Sequence, residues 1–511
     1  MSFRSILFDK YDGIGNFEWR NAPEYFVDLN LDQVVATITS GRDEYNLKPF
    51  FYIPADDVGT INYRHDVFHD LENQALLVHI HSFAGRMRAM RSDLARSDKL
   101  YYDLQKQSWF LHAVDTYCGA VKRLSRDLAI STPRSRGFSS FLNYLISYTE
   151  SADFRALLAE TEQLRTDLAG IKYSLHLEGN RISVGQFEIE PDYGADVLQT
   201  FDRFKQGAPR EYPFEFSSQS EMNHIEAAVL DMVAHLFPDI FSSLGEYCTR
   251  RRFFLDKVVR AFDREIQFYI ACLEFIDLFK RIDLNFCYPT VSDQSKEVFG
   301  RDVFDLALAD KLRREKASVV TNDFSLRDPE RIIVVSGPNQ GGKTTFARTF
   351  GQLHHLAAIG SPVPGKEAQL YLFDRMFTHF EKEEDLQNLS GKLEDDLERI
   401  HKILEQATSK SIVIMNESFV STTLSDALFL SKKIMGQIIA RDILCVSVTF
   451  LDELASLGET TVSMVSTVRS ENTAQRTFKI LRKPADGLAY AAAIAEKYRL
   501  TYESVRRRIA S

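Results

Sequence analysis

The stretch "RIIVVSGPNQGGKTTFARTF", Arg331 to Phe350, decides the fold. Ile332 to Val335 form an unbroken β-branched run, the pattern of a strand buried on both faces. The end of the stretch runs on into "GQLHHLAAI", which reads as a helix. Between strand and helix, Gly337, Gly342, Lys343 and Thr344 fit the spacing G-x-x-x-x-G-K-[ST] of a phosphate-binding loop. The chemistry explains the spacing. Glycines let backbone N–H groups close round phosphate oxygens, and the N-terminus of the following helix adds positive potential. Lys343 is placed to reach the β- and γ-phosphates, and Thr344 to ligate Mg²⁺. Gly337, Pro338, Asn339, Gly341, Gly342, Lys343, Thr344 and Thr345 are the expected ATP- and phosphate-binding residues.

A second apolar strand, "SIVIMNES" (Ser411 to Ser418), supplies the expected acidic end. In phosphate-loop ATPases an Asp here holds the Mg²⁺ hydration shell, and the next residue, Glu, polarises the attacking water. This chain has Asn416 and Glu417. Asn416 keeps an oxygen but has no charge, so weaker Mg²⁺ hold and slower hydrolysis are expected, with ATP binding retained. Lys343 and Glu417 are the expected catalytic pair, and Thr344 and Asn416 the expected Mg²⁺-binding pair. No other metal site is expected, because His65 with His69 and His354 with His355 read as structural pairs.

The rest of the chain bounds the setting. Its 511 residues are enough for several domains, and 44% hydrophobic with 26% charged content is ordinary for a globular protein. Five scattered cysteines without CxxC spacing argue against a disulfide framework or a zinc site. The start reaches Asp9 and Lys10 before any long apolar run, and no stretch is as long as a membrane span needs. A cytoplasmic protein is expected. The net charge of −10 does not advertise nucleic-acid binding, yet local basic faces leave it open.

Along the chain, residues 1–60 read as a small mixed segment or arm. Residues 61–290 read as long helices, with a hairpin insert near 171–190. There Tyr173, Leu175 and Leu177 alternate with polar residues up to the turn at Gly179-Asn180. Residues 291–511 alternate short apolar runs with helical stretches, the texture of an α/β domain. Arg86, Arg88, Arg91 and Arg96, and Arg250 to Arg252, read first as solvated helix faces paired with acids. In a clamp they would meet phosphates.

Several stretches taken together resemble the DNA mismatch repair MutS family. They are "GPNQGGKTT" (337–345), "IGSPVPGKEAQL" (359–370), "LFDRMFTHFEKEEDL" (372–386), "SIVIMNES" (411–418) and "SVTFLDELASL" (447–457). "GLAYAAAIAEKYRLTYESVRRR" (487–508) looks like the closing segment of that family. The resemblance implies an α/β P-loop (ABC-type) ATPase domain at the C-terminus. A mainly α-helical lever or clamp domain with a small β insert would precede it. It further implies a homodimer formed through the ATPase domains and held on DNA, with ATP and Mg²⁺ as ligands. A signature segment would act in trans from "NLSGKLEDDLERI", in which Ser390 or Gly391 holds the signature position.

The chain also departs from the family pattern. Phe450 stands where the family has a switch histidine, and the loop after Glu417 lacks the family's glycines. No Phe-x-Glu, the mismatch-reading motif, occurs in the sequence. The reading is therefore a MutS-like core without the mismatch reader, a slow ATPase serving DNA repair or recombination. The alternative is a nucleotide-gated structural or interaction module with little hydrolysis.

Overall fold

The computed structural model describes residues 3–9, 21–187, 222–381, 391–469, 472–485 and Arg506. By packing, the chain divides into two compact units. One comprises Met1–Phe3, Asp70–Arg134 and Phe138–Asp263; the other comprises Arg4–His69, Ser135–Gly137 and Arg264–Ser511. This partition differs from the linear division into 1–60, 61–290 and 291–511. The physical reason lies in the N-terminal segment, described below with the second unit.

The first unit is helical. Helices Gln74–Lys99 and Asp103–Ser131 lie along each other, burying Leu76, Ile80, Phe83, Met87 and Met90 from one and Leu111, Val114, Val121, Leu124 and Leu128 from the other. The three- and four-residue spacing puts each set on one helical stripe, which sets the faces that meet. Asn73 and Ser151 accept main-chain N–H bonds at the starts of their helices, and Asn223 with Glu226 forms a capping box. Tyr173–Glu178 pairs antiparallel with Arg181–Gln186 around Gly179, whose φ of 58° suits the tight turn. Leu177 on this hairpin is 74% exposed.

The second unit holds a six-stranded sheet. Its strands are β1 (Ile332–Ser336), β2 (Met376–Phe380), β3 (Ile412–Asn416), β4 (Leu444–Val448), β5 (Thr461–Arg469) and β6 (Asn472–Arg482). They lie in the order β2-β3-β4-β1-β5-β6, and only β5 and β6 pair antiparallel. The helices that cover the sheet are α1 (Lys343–Ala358), α2 (Lys392–Gln406) and α3 (Leu424–Ala440). Ile332, Val334, Val413, Met415 and Cys445 share one core with Ile400 and Leu404 of α2 and Ala427, Ile434, Met435 and Ile438 of α3. Ile414, with its side chain on the opposite face, lies under Gly351 of α1. Two covered faces account for the unbroken apolar strands.

The N-terminal segment belongs to this unit because it packs on α1. Arg348 Nε donates to the Asp28 carbonyl at 2.8 Å, and Gln352 Nε2 donates to the Leu29 carbonyl at 2.8 Å. A Cβ on Gly351 would stand 2.6 Å from Leu29 Cδ1, so only glycine permits this approach. His355 lies between the Tyr25 hydroxyl (3.0 Å) and the Phe51 carbonyl (2.8 Å). The first described residues are held as firmly. Glu265 accepts from the Ser5 hydroxyl and the Ile6 N–H, while the Tyr63 and Tyr269 hydroxyls and Arg64 donate to the carbonyls of Ser5, Ile6 and Leu7.

The mixed α/β class expected for the C-terminal part is present. Among the described residues no single helix is long and apolar enough to cross a membrane, and all five cysteines are free.

Candidate nucleotide-binding site

Parallel strands leave their C-terminal ends together at one edge of a sheet, where loops converge. Asn416 pairs in register with Val448, and Val448 with Val335, so the segments after β1, β3 and β4 leave the sheet side by side. The loop after β1 runs from Gly337 to Gly342. Gly337 has φ 111°, Gln340 φ 59° and Gly342 φ 90°, so three left-handed residues wind the chain back into α1.

Lys343 opens α1 with its ammonium turned back over the loop. It donates to the carbonyls of Gly337 (3.0 Å) and Pro338 (3.3 Å) and to Asn339 Oδ1 (3.2 Å). Glu417 Oε1 stands 3.9 Å away. Burial pulls the Lys343 ammonium below the usual lysine value; Glu417 pushes it back up, and Arg476 adds to the fall. Thr344 Oγ1 donates to Asn416 Oδ1 at 2.8 Å. Two residues 72 apart in sequence, expected to share a metal, are thus in direct contact. Thr345 is half-buried on the first turn of α1.

Glu417 and Phe419 follow β3 with φ of 52° and 63°, unusual for residues with side chains. The Glu417 N–H is held by the Val448 carbonyl at 2.9 Å. Phe450, which follows β4, is 49% exposed and offers neither a donor nor an acceptor to the site. Two buried hydroxyls at this edge, Ser336 Oγ and Ser418 Oγ, have no partner among the described residues. Ser390 lies outside the described residues, as do Glu384 to Leu386, Arg507, Arg508 and nearly all of the closing segment 487–508.

Some contributors were not legible in the sequence. Ser466 of β5 donates to the Gly341 carbonyl at 2.7 Å, and a Cβ on Gly341 would stand 2.2 Å from Ser466 Oγ. Gly337 is likewise pressed against the Ser466 backbone. Arg476 of β6 donates to the Asn339 carbonyl at 3.1 Å. The β5–β6 hairpin therefore braces the loop from outside, and nothing in the local pattern of either strand signals that role. His354 and His355, read as structural, are fully buried; His354 bonds the Phe350 carbonyl. Among the basic residues, Arg91 pairs with Asp263, and Arg250 and Arg251 both pair with Glu160.

The arrangement is that of a mixed α/β domain with a glycine-rich loop, a buried lysine and a polar strand end brought together at one edge of the sheet. Residues 333–501 match the family model MutS domain V. The chain is 32% identical over 173 residues to the DNA mismatch repair protein MutS of Thermotoga neapolitana, covering 34% of this chain and 21% of that protein. It is 26% identical over 324 residues to the protein of the same name from Thermotoga maritima, covering 63% of this chain and 39% of that protein. It is 30% identical over 189 residues to the endonuclease MutS2 of Thermus thermophilus, covering 37% of this chain and 25% of that protein. The matches thus span less than half the length of each of these relatives. The C-terminal part of the chain, residues 333–501, is thus similar to domain V of MutS proteins.

Proposed function

We propose that the C-terminal domain is an ABC-type P-loop ATPase domain that binds ATP and hydrolyses it slowly. In this reading it pairs with a second copy, and helices of the lever or clamp type carry the nucleotide state to DNA, in repair or recombination. The observation that carries the reading is the meeting of Lys343, Glu417, Thr344 and Asn416 at the loop. The residues fit a phosphate group. The loop has no room for a Cβ at Gly337 or Gly341, the lysine is buried, and two buried hydroxyls lack partners among the described residues. Thr344 and Asn416 fit Mg²⁺ more weakly, as two neutral oxygens without a carboxylate. Mg²⁺, when bound there, would neutralise phosphate charge.

The chain's own residues then divide the work. The loop N–H groups and Lys343 bind and orient the phosphates. Glu417 orients the attacking water and accepts its proton. Asn416 fixes the Thr344 hydroxyl but adds no negative charge. Binding is therefore retained better than turnover.

Measured side by side, Lys343→Ala should lose roughly 100-fold or more in ATP affinity, while Glu417→Ala keeps affinity and loses roughly 100-fold in turnover. Equal ATP affinity in the wild type and Lys343→Ala would sink the reading.

A second reading, a nucleotide-gated module with little hydrolysis, is favoured by the uncharged Asn416 and the exposed Phe450. DNA binding with and without ATP, on homoduplex, mismatched and branched DNA at two salt levels, separates the ideas. The DNA part of both predicts salt-sensitive binding to at least one of these, and salt-insensitive or absent binding to all three removes it.

A further inference from the structure

Two cations far apart in sequence converge on Asn339 of the glycine-rich loop. Lys343 Nζ donates to the Asn339 amide oxygen at 3.2 Å, and Arg476 Nε donates to the Asn339 main-chain carbonyl at 3.1 Å. Lys343 belongs to the loop's own spacing. Arg476 belongs to no phosphate-loop motif and is delivered by β6.

The delivery is built into the hairpin. Ser466 of β5 pairs with Ile480 and Val468 pairs with Arg476, so Thr477, Phe478 and Lys479 stand opposite Thr467 alone. An excess of this kind bends the longer strand and re-aims the side chains beside it. Phe478 takes the left-handed φ of 58° within this bulge. Asn322 clamps it on both sides, donating from Nδ2 to the Phe478 carbonyl at 3.1 Å and accepting the Ile480 N–H at 2.8 Å. The Thr477 hydroxyl donates to the Thr467 carbonyl at 2.9 Å. A Cβ on Gly342 would lie 3.9 Å from Phe478, so the bulge runs beside the end of the loop.

The charges gathered there do not balance. Lys343 and Arg476 bring two positive charges, and Glu417, whose Oε1 stands 3.9 Å from Lys343 Nζ, brings one negative. Asn416, which holds the Thr344 hydroxyl, brings none. A carboxylate at 416 would repel a polyphosphate at close range and make its binding depend on a divalent cation to offset that repulsion. Here the repulsion is missing and a second cation is present.

We propose that this site takes the nucleoside polyphosphate in its metal-free, fully ionised form, with Arg476 as the second phosphate-neutralising cation beside Lys343. The inference deepens the ATP-binding reading and rests on it. Binding does not wait for Mg²⁺, and the weak pair Thr344–Asn416 makes the metal a requirement of turnover alone.

The test is ATP affinity by calorimetric titration at low ionic strength, in EDTA and in excess Mg²⁺. It compares the wild type, Arg476→Gln, Arg476→Lys and Asn416→Asp. The wild type should bind in EDTA within about fivefold of its affinity in Mg²⁺. Arg476→Gln can still donate to the Asn339 carbonyl but carries no charge. It should lose about tenfold or more in EDTA and no more than about threefold in Mg²⁺, a gap that narrows as salt rises. Arg476→Lys, which keeps the charge, should stay near the wild type in EDTA. Asn416→Asp should lose about tenfold in EDTA and little in Mg²⁺. A wild type that loses more than about fivefold in EDTA overturns the inference. So does an Arg476→Gln loss that is equal in both buffers, which would make Arg476 a brace and nothing more. Absence of binding in both buffers sinks the ATP-binding reading itself, whereas binding in Mg²⁺ alone leaves that reading standing and removes this one.

Discussion

Asn416 places a neutral amide where the Thr344 hydroxyl needs an acceptor, and it satisfies that need at 2.8 Å. What it lacks is charge. A divalent cation gains far more from a carboxylate than from an amide oxygen, so a Mg²⁺ bound in the proposed site would depend on the phosphates themselves. Asn416→Asp should lower the Mg²⁺ concentration for half-maximal turnover and raise turnover by about threefold or more, with ATP affinity little changed. Turnover measured over a Mg²⁺ titration checks this, and an unchanged profile means that another group already holds the metal. At this scale the sequence was highly legible. The glycine-rich loop with Lys343 and Thr344, and the polar strand end with Glu417, are each read from one short stretch of chain. Asp396 was not legible, since an aspartate in "LEDDLERI" reads as one more solvated helical acid until it is buried against His379 of β2.

At the scale of elements, the phosphate loop depends on a hairpin over a hundred residues away. Ser466 bonds Gly341, and Arg476 bonds Asn339. Gly341→Ala would force a methyl group within 2.2 Å of Ser466 Oγ and 2.9 Å of the Pro338 carbonyl. Overpacking of this kind costs about 1–3 kcal/mol, so nucleotide affinity should fall by about tenfold. The double variant Gly341→Ala, Ser466→Ala removes one clash of the two and should recover part of that loss by calorimetric titration. No recovery would mean that β5 does not brace the loop. The strands β1, β3 and β4 were legible as apolar runs, because burial on two faces leaves no alternation to confuse them. Their neighbours in the sheet were not, since long-range pairing leaves no trace in local composition.

Across the second unit, burial of titratable groups sets a pH response. His65, His354 and His355 are pushed down to about 4 by burial, with His69 adding to the effect at His65. Between their ordinary value of 6.5 and about 4 the folded state binds fewer protons than the unfolded chain, so stability is lost as pH falls through that window. Glu265 runs the other way. Burial pushes it up to about 7 from 4.5, the folded state binds more protons there, and stability is lost as pH rises from 4.5 to about 7. Three histidines outweigh one carboxyl, so melting temperature should fall on acidification. Glu265→Gln, whose amide oxygen can still accept from Ser5 and Ile6, should raise the melting temperature above neutrality and converge with the wild type near the ordinary Glu value. Melting curves across the acid and neutral range check both, and a Glu265→Gln difference independent of pH would contradict the assignment.

The N-terminal segment marks the limit of linear reading. Residues 1–60 read as a small mixed segment or arm because their apolar residues are spread over short pieces with no long period. Their partners, Arg348, Gln352 and His355, lie on α1 some three hundred residues further on. By itself the sequence determined the α/β character of the C-terminal part, the phosphate-type loop and the polar end of β3, each of which is written in local spacing and composition. Only the tertiary structure decided which residues press on that loop, and that residues 4–9 and 21–60 contribute to the same unit. Local patterns record how a segment must fold, whereas close approach and hydrogen bonding across the sheet depend on which distant segments the hydrophobic core brings together.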